Sequence, residues 1–176
     1  MKYFTADQHF FHANIIKYAN RPFENTYFMN KTIISNYRKV VREEDEVYFL
    51  GDLMMGGMAK AGRLTGIING LPGVKHLILG NHDRLKPRDI YVSMGFSSVQ
   101  KRLEVTLEGT EFHMVHNPAN ALLPNVKWLC GHIHAHWLSK KNDIGAVIVN
   151  VGVDVWDFSP VSLEQVLTEF KKYEGY

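Results

Sequence analysis

The chain has 176 residues, enough to bury a core of its own, and its 45% apolar and 22% charged content is ordinary for a globular protein. Lysine and arginine number 20 against 18 aspartate and glutamate, a formal charge of +2 that singles out neither nucleic acid nor membrane as a partner. The one cysteine, Cys130, excludes an intrachain disulfide and fits a reducing compartment. No apolar run approaches the roughly 20 residues of a membrane span, and no leader-like segment opens the chain. A cytoplasmic protein with one domain over residues 1–176 is expected.

In chain order, residues 2–5 predict a short strand that runs into Asp7 and His9. If extended backbone continues there, side chains two apart point to one face, as a pair of metal ligands needs. His12 follows at the same corner and suits either a substrate contact or an ordinary loop histidine. Residues 14–18 predict a short helix, and Arg21, Pro22 and Phe23 break the chain. Over residues 30–42 the spacing of Ile33, Ile34, Tyr37, Val40 and Val41 predicts one buried helical face. Lys31, Arg38, Lys39 and Arg42 read as its solvated side over the alternative of a nucleic-acid stripe, since Glu43, Glu44, Asp45 and Glu46 follow directly. Val47 to Leu50 form a continuous apolar run of the kind buried on both faces of a sheet, and it stops at Gly51 and Asp52. Residues 53–57, with two methionines and paired glycines, read as a mobile loop, and residues 59–69 as a helix ended by Gly70. The run at residues 74–79 completes a parallel βαβ unit and again stops at glycine, before Asn81, His82 and Asp83. Arg84, Lys86 and Arg88 then form either a basic lip for a phosphate or a solvated turn.

The second half alternates. Residues 103–107 and 111–116 pair about Glu108 and Gly109 as a hairpin that ends in His116, with His113 on the opposite face as a structural residue. Residues 126–130 form a strand that stops at Gly131, followed by His132 and His134; His136 is set outside this group. Residues 146–149 lead into Asn150, Val151 and Gly152. Ser162 and Gln165 make a capping box that opens a last helix, running to about Tyr173.

Strand ends therefore deliver Asp7, His9, Asp52, Asn81, His82, His116, His132 and His134. Oxygen and imidazole donors without a thiolate suit manganese, iron, zinc or nickel rather than a cysteine-based structural zinc site. The set exceeds what one tetrahedral ion can use, and it suits two divalent ions that share a carboxylate.

The blocks D-x-H from Asp7, G-D at Asp52, G-N-H-D ending at Asp83, the later His116 and G-H-x-H ending at His134 occur in order. Together they resemble the calcineurin-like metallophosphoesterase family, and Asn150-Val151-Gly152 is similar to its N-x-G loop. The two ends of the chain look similar to small bacterial and phage members. The resemblance implies an α/β fold of two stacked mixed β-sheets flanked by helices, a four-layer sandwich with a two-metal site along the strand ends. It also implies that Asp7, His9 and His134 hold one ion, Asn81, His116 and His132 the other, and that Asp52 bridges them. Manganese is the expected metal. His82 would face the substrate as acid or phosphate contact, oriented by Asp83, while a metal-bound hydroxide attacks phosphorus in line.

Members that act on phosphoproteins carry arginines soon after the G-D block, where this chain has Leu53, Met54, Met55, Gly56 and Gly57. That leaves the phosphate to His12, His82 or the 84–88 segment. The chain is also too short for the added domains of DNA-repair nucleases in the family. The implied activity is hydrolysis of a small nucleotide-like phosphodiester, with no membrane partner and none indicated among nucleic acids. A phosphomonoesterase is one alternative; a non-catalytic binding module, like the retromer subunit similar to this family, is another. The intact ligand blocks speak against the module.

Overall fold

The structure, a computed structural model, describes residues 1–85 and 89–174. Lys86 and Arg88 of the basic segment lie outside the described residues. The first half of the chain runs β1 (Lys2–Thr5), α1 (Ala13–Tyr18), α2 (Thr26–Val40), β2 (Glu46–Phe49), α3 (Ala61–Asn69), β3 (Val74–Ile78), α4 (Asp89–Ser93) and β4 (Phe96–Gln100). The second runs β5 (Arg102–Leu107), β6 (Thr110–Val115), β7 (Lys127–Cys130), β8 (Ser139–Lys141), β9 (Val147–Asn150), β10 (Val161–Ser162) and α5 (Leu163–Lys171).

Two five-stranded sheets result, ordered β10-β1-β2-β3-β4 and β5-β6-β7-β9-β8. Both are mixed. In the first, β1 to β4 are parallel and β10 joins the edge antiparallel. In the second, β6, β7 and β9 are parallel between antiparallel β5 and β8. With helices flanking the sheets, this is the four-layer α/β sandwich expected from the sequence. None of the described helices is long and apolar enough to cross a membrane.

Side-chain alternation explains the continuous apolar runs of the first sheet. Tyr3, Val47, Phe49 and Leu77 face α2, α3 and α4, among Ile33, Tyr37, Leu64 and Tyr91. Their neighbours Phe4, Tyr48, Leu50 and Ile78 face the second sheet, against Phe112, Met114, Leu129 and Val149. Each fully buried leucine or phenylalanine here contributes about 1.5–3 kcal/mol, so both faces hold the strands in register. Val166 and Phe170 of α5 join the core between the sheets. On the far face of the second sheet Trp128 is fully buried, and its Nε1 donates to the carbonyl of Leu123 at 3.0 Å.

Several elements differ from expectation. α2 starts four residues early because Asn25 caps it, its side chain accepting from the amides of Tyr27 and Phe28. The helix expected from residue 59 opens as a 3-10 turn, Gly57–Lys60, before α3. Leu53 and Met54, placed in a mobile loop, are instead buried: the amide of Phe10 donates to Leu53 at 2.8 Å and Phe10 bridges to Met54. α4, β4, β8 and β10 were not expected.

Candidate metal centre

The loops after β1, β2, β3, β6, β7 and β9 meet at one edge of the sandwich. The amide of Asp7 donates to Gly51 at 3.0 Å, that of Gly131 to His116 at 3.0 Å, and Ala6 bridges to Gly152. Strand alternation does not do the converging, as the two-residue spacings suggested. Asp7, His9, Asp52, His132 and His134 all take left-handed backbone, with φ of 60°, 49°, 57°, 76° and 48°. Each such residue costs on the order of 1 kcal/mol or more and persists only where its surroundings over-determine it. Here they do. The carboxylate of Asp7 accepts from the amide of His132 at 2.9 Å, and the amide of His9 donates to Asp52 at 3.0 Å. Gly131 allows the close approach of β7 to β1, since a Cβ at that position would stand 2.6 Å from the Ala6 Cβ and 2.8 Å from Asp7 Oδ2.

Two trios of donors result: Asp7, His9 and His134, and Asp52, His116 and His132. Within each, one ligand atom per residue lies within 4.8 Å of the others. Each trio draws on both sheets. Asn81 joins the second, its Oδ1 3.1 Å from His116 Nε2 and 2.9 Å from His132 Nδ1. Asp52 joins the two, its Oδ2 3.3 Å from His116 Nε2 and 3.6 Å from His9 Nε2. All seven residues expected as ligands are thus brought together. His113 packs on Trp128 instead, with ring centroids 5.0 Å apart, and His136 is exposed.

The donors fit divalent cations. With metal–ligand bonds of about 2.0–2.2 Å, neighbouring ligand atoms around one ion stand roughly 3.0–3.5 Å apart, which matches the separations at Asp52 and Asn81. His9 Nε2 is buried without a hydrogen-bond partner. Burial drives the His9 pKa down to about 3, so its ring is a neutral donor, and burial lifts Asp7 to about 6. His116 Nδ1 lies 2.6 Å from the carbonyl of Leu50 and donates to it, which turns Nε2 toward the oxygens of Asp52 and Asn81. Burial disfavours a charge on that ring, yet Asp52 and Asp7 raise its pKa to about 9, because a proton there answers the converging oxygens as a cation does. Burial likewise opposes ionisation of Asp52, but the bond from His116 outweighs it and brings the carboxylate to about 2.

Behind the first trio stands a buried frame, of which only Asn150 had been singled out in the sequence. The Arg21 guanidinium grips Asp154 through Nε at 2.7 Å and Nη2 at 2.9 Å, and also donates to the carbonyls of Asp7 and Gln8. Asp154 in turn accepts from His134 Nδ1 at 3.0 Å, so Nε2 of that ring faces the trio. Asn150 donates to the carbonyl of His134 at 2.7 Å and accepts from the amide of Gly152. Arg21 had read as part of a chain break and Asn150 as the start of the N-x-G block; Asp154 stands two residues past that block. Asp154→Asn leaves the Arg21 charge buried without its counter-ion and is expected to cost about 3–5 kcal/mol. Urea unfolding of the metal-free variant measures it, and a loss below about 1 kcal/mol would show that the carbonyls alone satisfy Arg21.

His82 and Asp83 divide otherwise than expected. Asn81 and His82 lie in a turn. The His82 ring sits over the centre, Nε2 3.9 Å from Asp52 Oδ2, while its backbone amide donates to Asp52 Oδ1 at 2.9 Å. Asp83 does not orient that ring. Its two oxygens accept from the amides of Asp52, Leu53 and Gly80, tying the two loops together. His12 lies beside the first trio, its Nδ1 3.4 Å from His9 Nδ1 and its ring 6.4 Å from that of His82. A cleft of about 650 Å³ opens beside the second trio, with Arg84, Lys101, Asn117 and Asn120 around Asn81, His116 and His132.

Two mixed sheets with paired aspartate–histidine trios at their shared edge form a four-layer α/β sandwich fold carrying two candidate metal sites. Within it, the chain belongs to the family of the uncharacterized protein MJ1445 of Methanocaldococcus jannaschii, with which it is 37% identical over 174 residues, 97% of this chain and 91% of that protein. The Gene 66 protein of Mycobacterium phage L5 is 26% identical over 181 aligned positions, covering 88% of this chain and 86% of its own. A solved structure, a protein of unknown function from Aquifex aeolicus, superimposes with a TM-score of 0.72 at 25% identity over 98% of both chains. No protein-family model matches the sequence.

Proposed function

We propose that the protein is a two-metal phosphoesterase that hydrolyses phosphodiesters of nucleotide type. One observation carries the reading: Asp52 Oδ2, a donor of the second trio, also faces the first, within 3.3–3.9 Å of His116, His9 and His82. Asp7, His9 and His134 would hold one ion, Asn81, His116 and His132 the other, with Asp52 placed to serve both; manganese, iron, zinc or nickel all suit this donor set. Such ions would supply Lewis acidity toward a phosphoryl oxygen and a water of lowered pKa.

The chain's own residues do the rest. Arg84 and Lys101 at the cleft draw in an anionic ester, and His12 and His82 flank the position of its phosphoryl group. His82, half-open to solvent above Asp52, hands a proton to the departing oxygen. Asp83 is a positioning residue, since its carboxylate fixes the backbone of Asp52 and of the turn that carries Asn81. The test is turnover by purified manganese-loaded protein on bis-nitrophenyl phosphate, nitrophenyl phosphate and cyclic nucleotides. Diesters are expected to react faster than monoesters. Faster monoester turnover would make this a phosphomonoesterase, and no turnover with both sites loaded would leave a binding module.

Proton competition gives a second check. The Asp7 carboxyl serves as a ligand only when ionised, and burial holds its pKa near 6. It is therefore charged above that value and neutral below it, so metal retention is expected to fall as pH drops through about 6, or somewhat lower once the ion competes. Metal content measured after dialysis at stepped pH shows this; full retention at pH 4 would exclude Asp7 as a ligand.

A further inference from the structure

A second groove, of about 870 Å³, lies between α2 and α3. Lys31, Arg38 and Lys39 line one wall and Arg63 the other, with no carboxylate among the described lining residues. The segregation is pronounced: residues 26–42 and 53–82 contain no aspartate or glutamate at all, in a chain whose overall balance is close to neutral. Read on α2 alone, these cations were the solvated side of one helix; packing α3 alongside makes them a trough. Lys31 and Arg38 are seven residues apart on one helical face, about 10 Å along the axis, farther than a single phosphate group spans.

The floor is apolar and aromatic, formed by Phe11, Ile34, Ile67 and an exposed Tyr27. Stacked bases inside a duplex could not use such a floor, whereas unstacked bases can lie on it. The Arg63 guanidinium sits 4.3 Å over the Phe11 ring. One lining residue adjoins the metal centre in sequence. Phe11 lines the groove, its carbonyl is held by Lys60 Nζ at 3.0 Å, and the next residue is His12, beside His9.

We infer that the α2/α3 groove binds single-stranded nucleic acid and leads its phosphodiester chain past Phe11 and His12 toward the metal centre. Delivery of a scissile bond rests on the phosphodiesterase reading above; binding in the groove does not. The probe is a fluorescein-labelled oligodeoxythymidylate of about 12 nucleotides with a phosphorothioate backbone that resists hydrolysis, titrated by anisotropy against the metal-loaded protein over a range of salt. Each neutralised phosphate of a single strand contributes about 0.7 to the salt slope, so Lys31→Ala with Lys39→Ala is expected to reduce it by about 1.4. Tyr27→Ala is expected to weaken binding roughly 5- to 100-fold for the single strand and to leave a duplex of the same length unaffected. Lys171→Ala, on α5 outside the groove, controls for net charge and is expected to change neither.

Absence of oligonucleotide binding by the parent protein, equal binding of duplex, or equal displacement by polyglutamate would overturn the inference. So would an unchanged slope in the double variant, or an equal reduction by Lys171→Ala. Melting temperature accompanies each variant, and the exposure of Lys31, Lys39 and Tyr27 keeps these substitutions away from the core. Groove-dependent binding together with no turnover of any phosphoester would sink the phosphodiesterase reading and leave the groove standing.

Discussion

Replacing Asp52 with asparagine is expected to strip metal from both trios and abolish phosphoester hydrolysis. The two oxygens of this carboxylate do different work. Oδ1 accepts from the amide of His82 at 2.9 Å, while Oδ2 faces the Nε2 atoms of His116, His9 and His82. An asparagine that keeps its oxygen on the His82 amide must turn its NH2 group into the imidazoles. The flipped amide sets a donor against the His82 N–H instead. Neither orientation returns an anionic oxygen to the point between the trios, and a carboxamide nitrogen is not a ligand to these metals. Loss of one shared donor should therefore empty both positions, and turnover should fall by at least about 10³-fold, the scale of removing a central electrostatic group. Elemental analysis decides the matter alongside turnover, with circular dichroism to show that the fold is kept. Full occupancy of both sites in Asp52→Asn would remove Asp52 from the shared position.

The second large effect belongs to His82. Its backbone amide, not its ring, holds Asp52, and Asp83 fixes the same turn through backbone amides. His82→Ala is therefore expected to keep both ions. Loss of a general acid typically costs 10²–10⁴-fold. That loss should depend on how basic the departing oxygen is. A nitrophenolate leaves with little help, whereas a ribose or alkyl alkoxide needs a proton. The expected result is a fall of about 10²–10⁴-fold in kcat/KM on nucleoside or alkyl esters and a clearly smaller fall on nitrophenyl esters. Equal losses on both, with metals retained, would give His82 to phosphate binding and charge stabilisation. Metal loss would make it a ligand.

The parts of this molecule that were legible in its sequence share one physical cause. Strands buried on both faces are largely apolar, so β1, β2, β3, β7 and β9 announce themselves as runs, despite Lys75 and His76 in β3, and the polar residues placed just past them stand out. That is how seven of the eight strand-end residues came to notice before any geometry; His116 showed instead at the end of the alternating strand β6. Other strands carry no such mark. β4 reads Phe-Ser-Ser-Val-Gln and is only half buried; β8 is three residues of a polar edge, and β10 has two. The left-handed turns at Asp7, His9, Asp52, His132 and His134 were hidden because they depend on contacts between loops far apart in the chain. Arg21 and Asp154 are 133 residues apart, so no window along the sequence could pair them. Asp83 shows the reverse error: adjacency to His82 suggested a side-chain partnership, while the turn sends its carboxylate to the backbone of the preceding loop.

Each trio takes donors from both sheets, Asp7 and His9 against His134, and Asp52 against His116 and His132. The first sheet gathers most of its strands from the first hundred residues, and the second is built wholly from residues 102–150, so the sandwich is closed mainly by apolar contact between two separately built layers. An ion shared across them is a non-covalent crosslink between those layers, and it exists only when they are docked. Resistance to unfolding is then tied to free metal by mass action: about 2.7 kcal/mol at a concentration 100-fold above the dissociation constant. A chelator should lower the melting temperature, and manganese should restore it in proportion to the logarithm of its concentration. The residues that would make the protein a catalyst would thus also fasten its two halves together, and metal starvation would reach the cell as lost protein as well as lost activity.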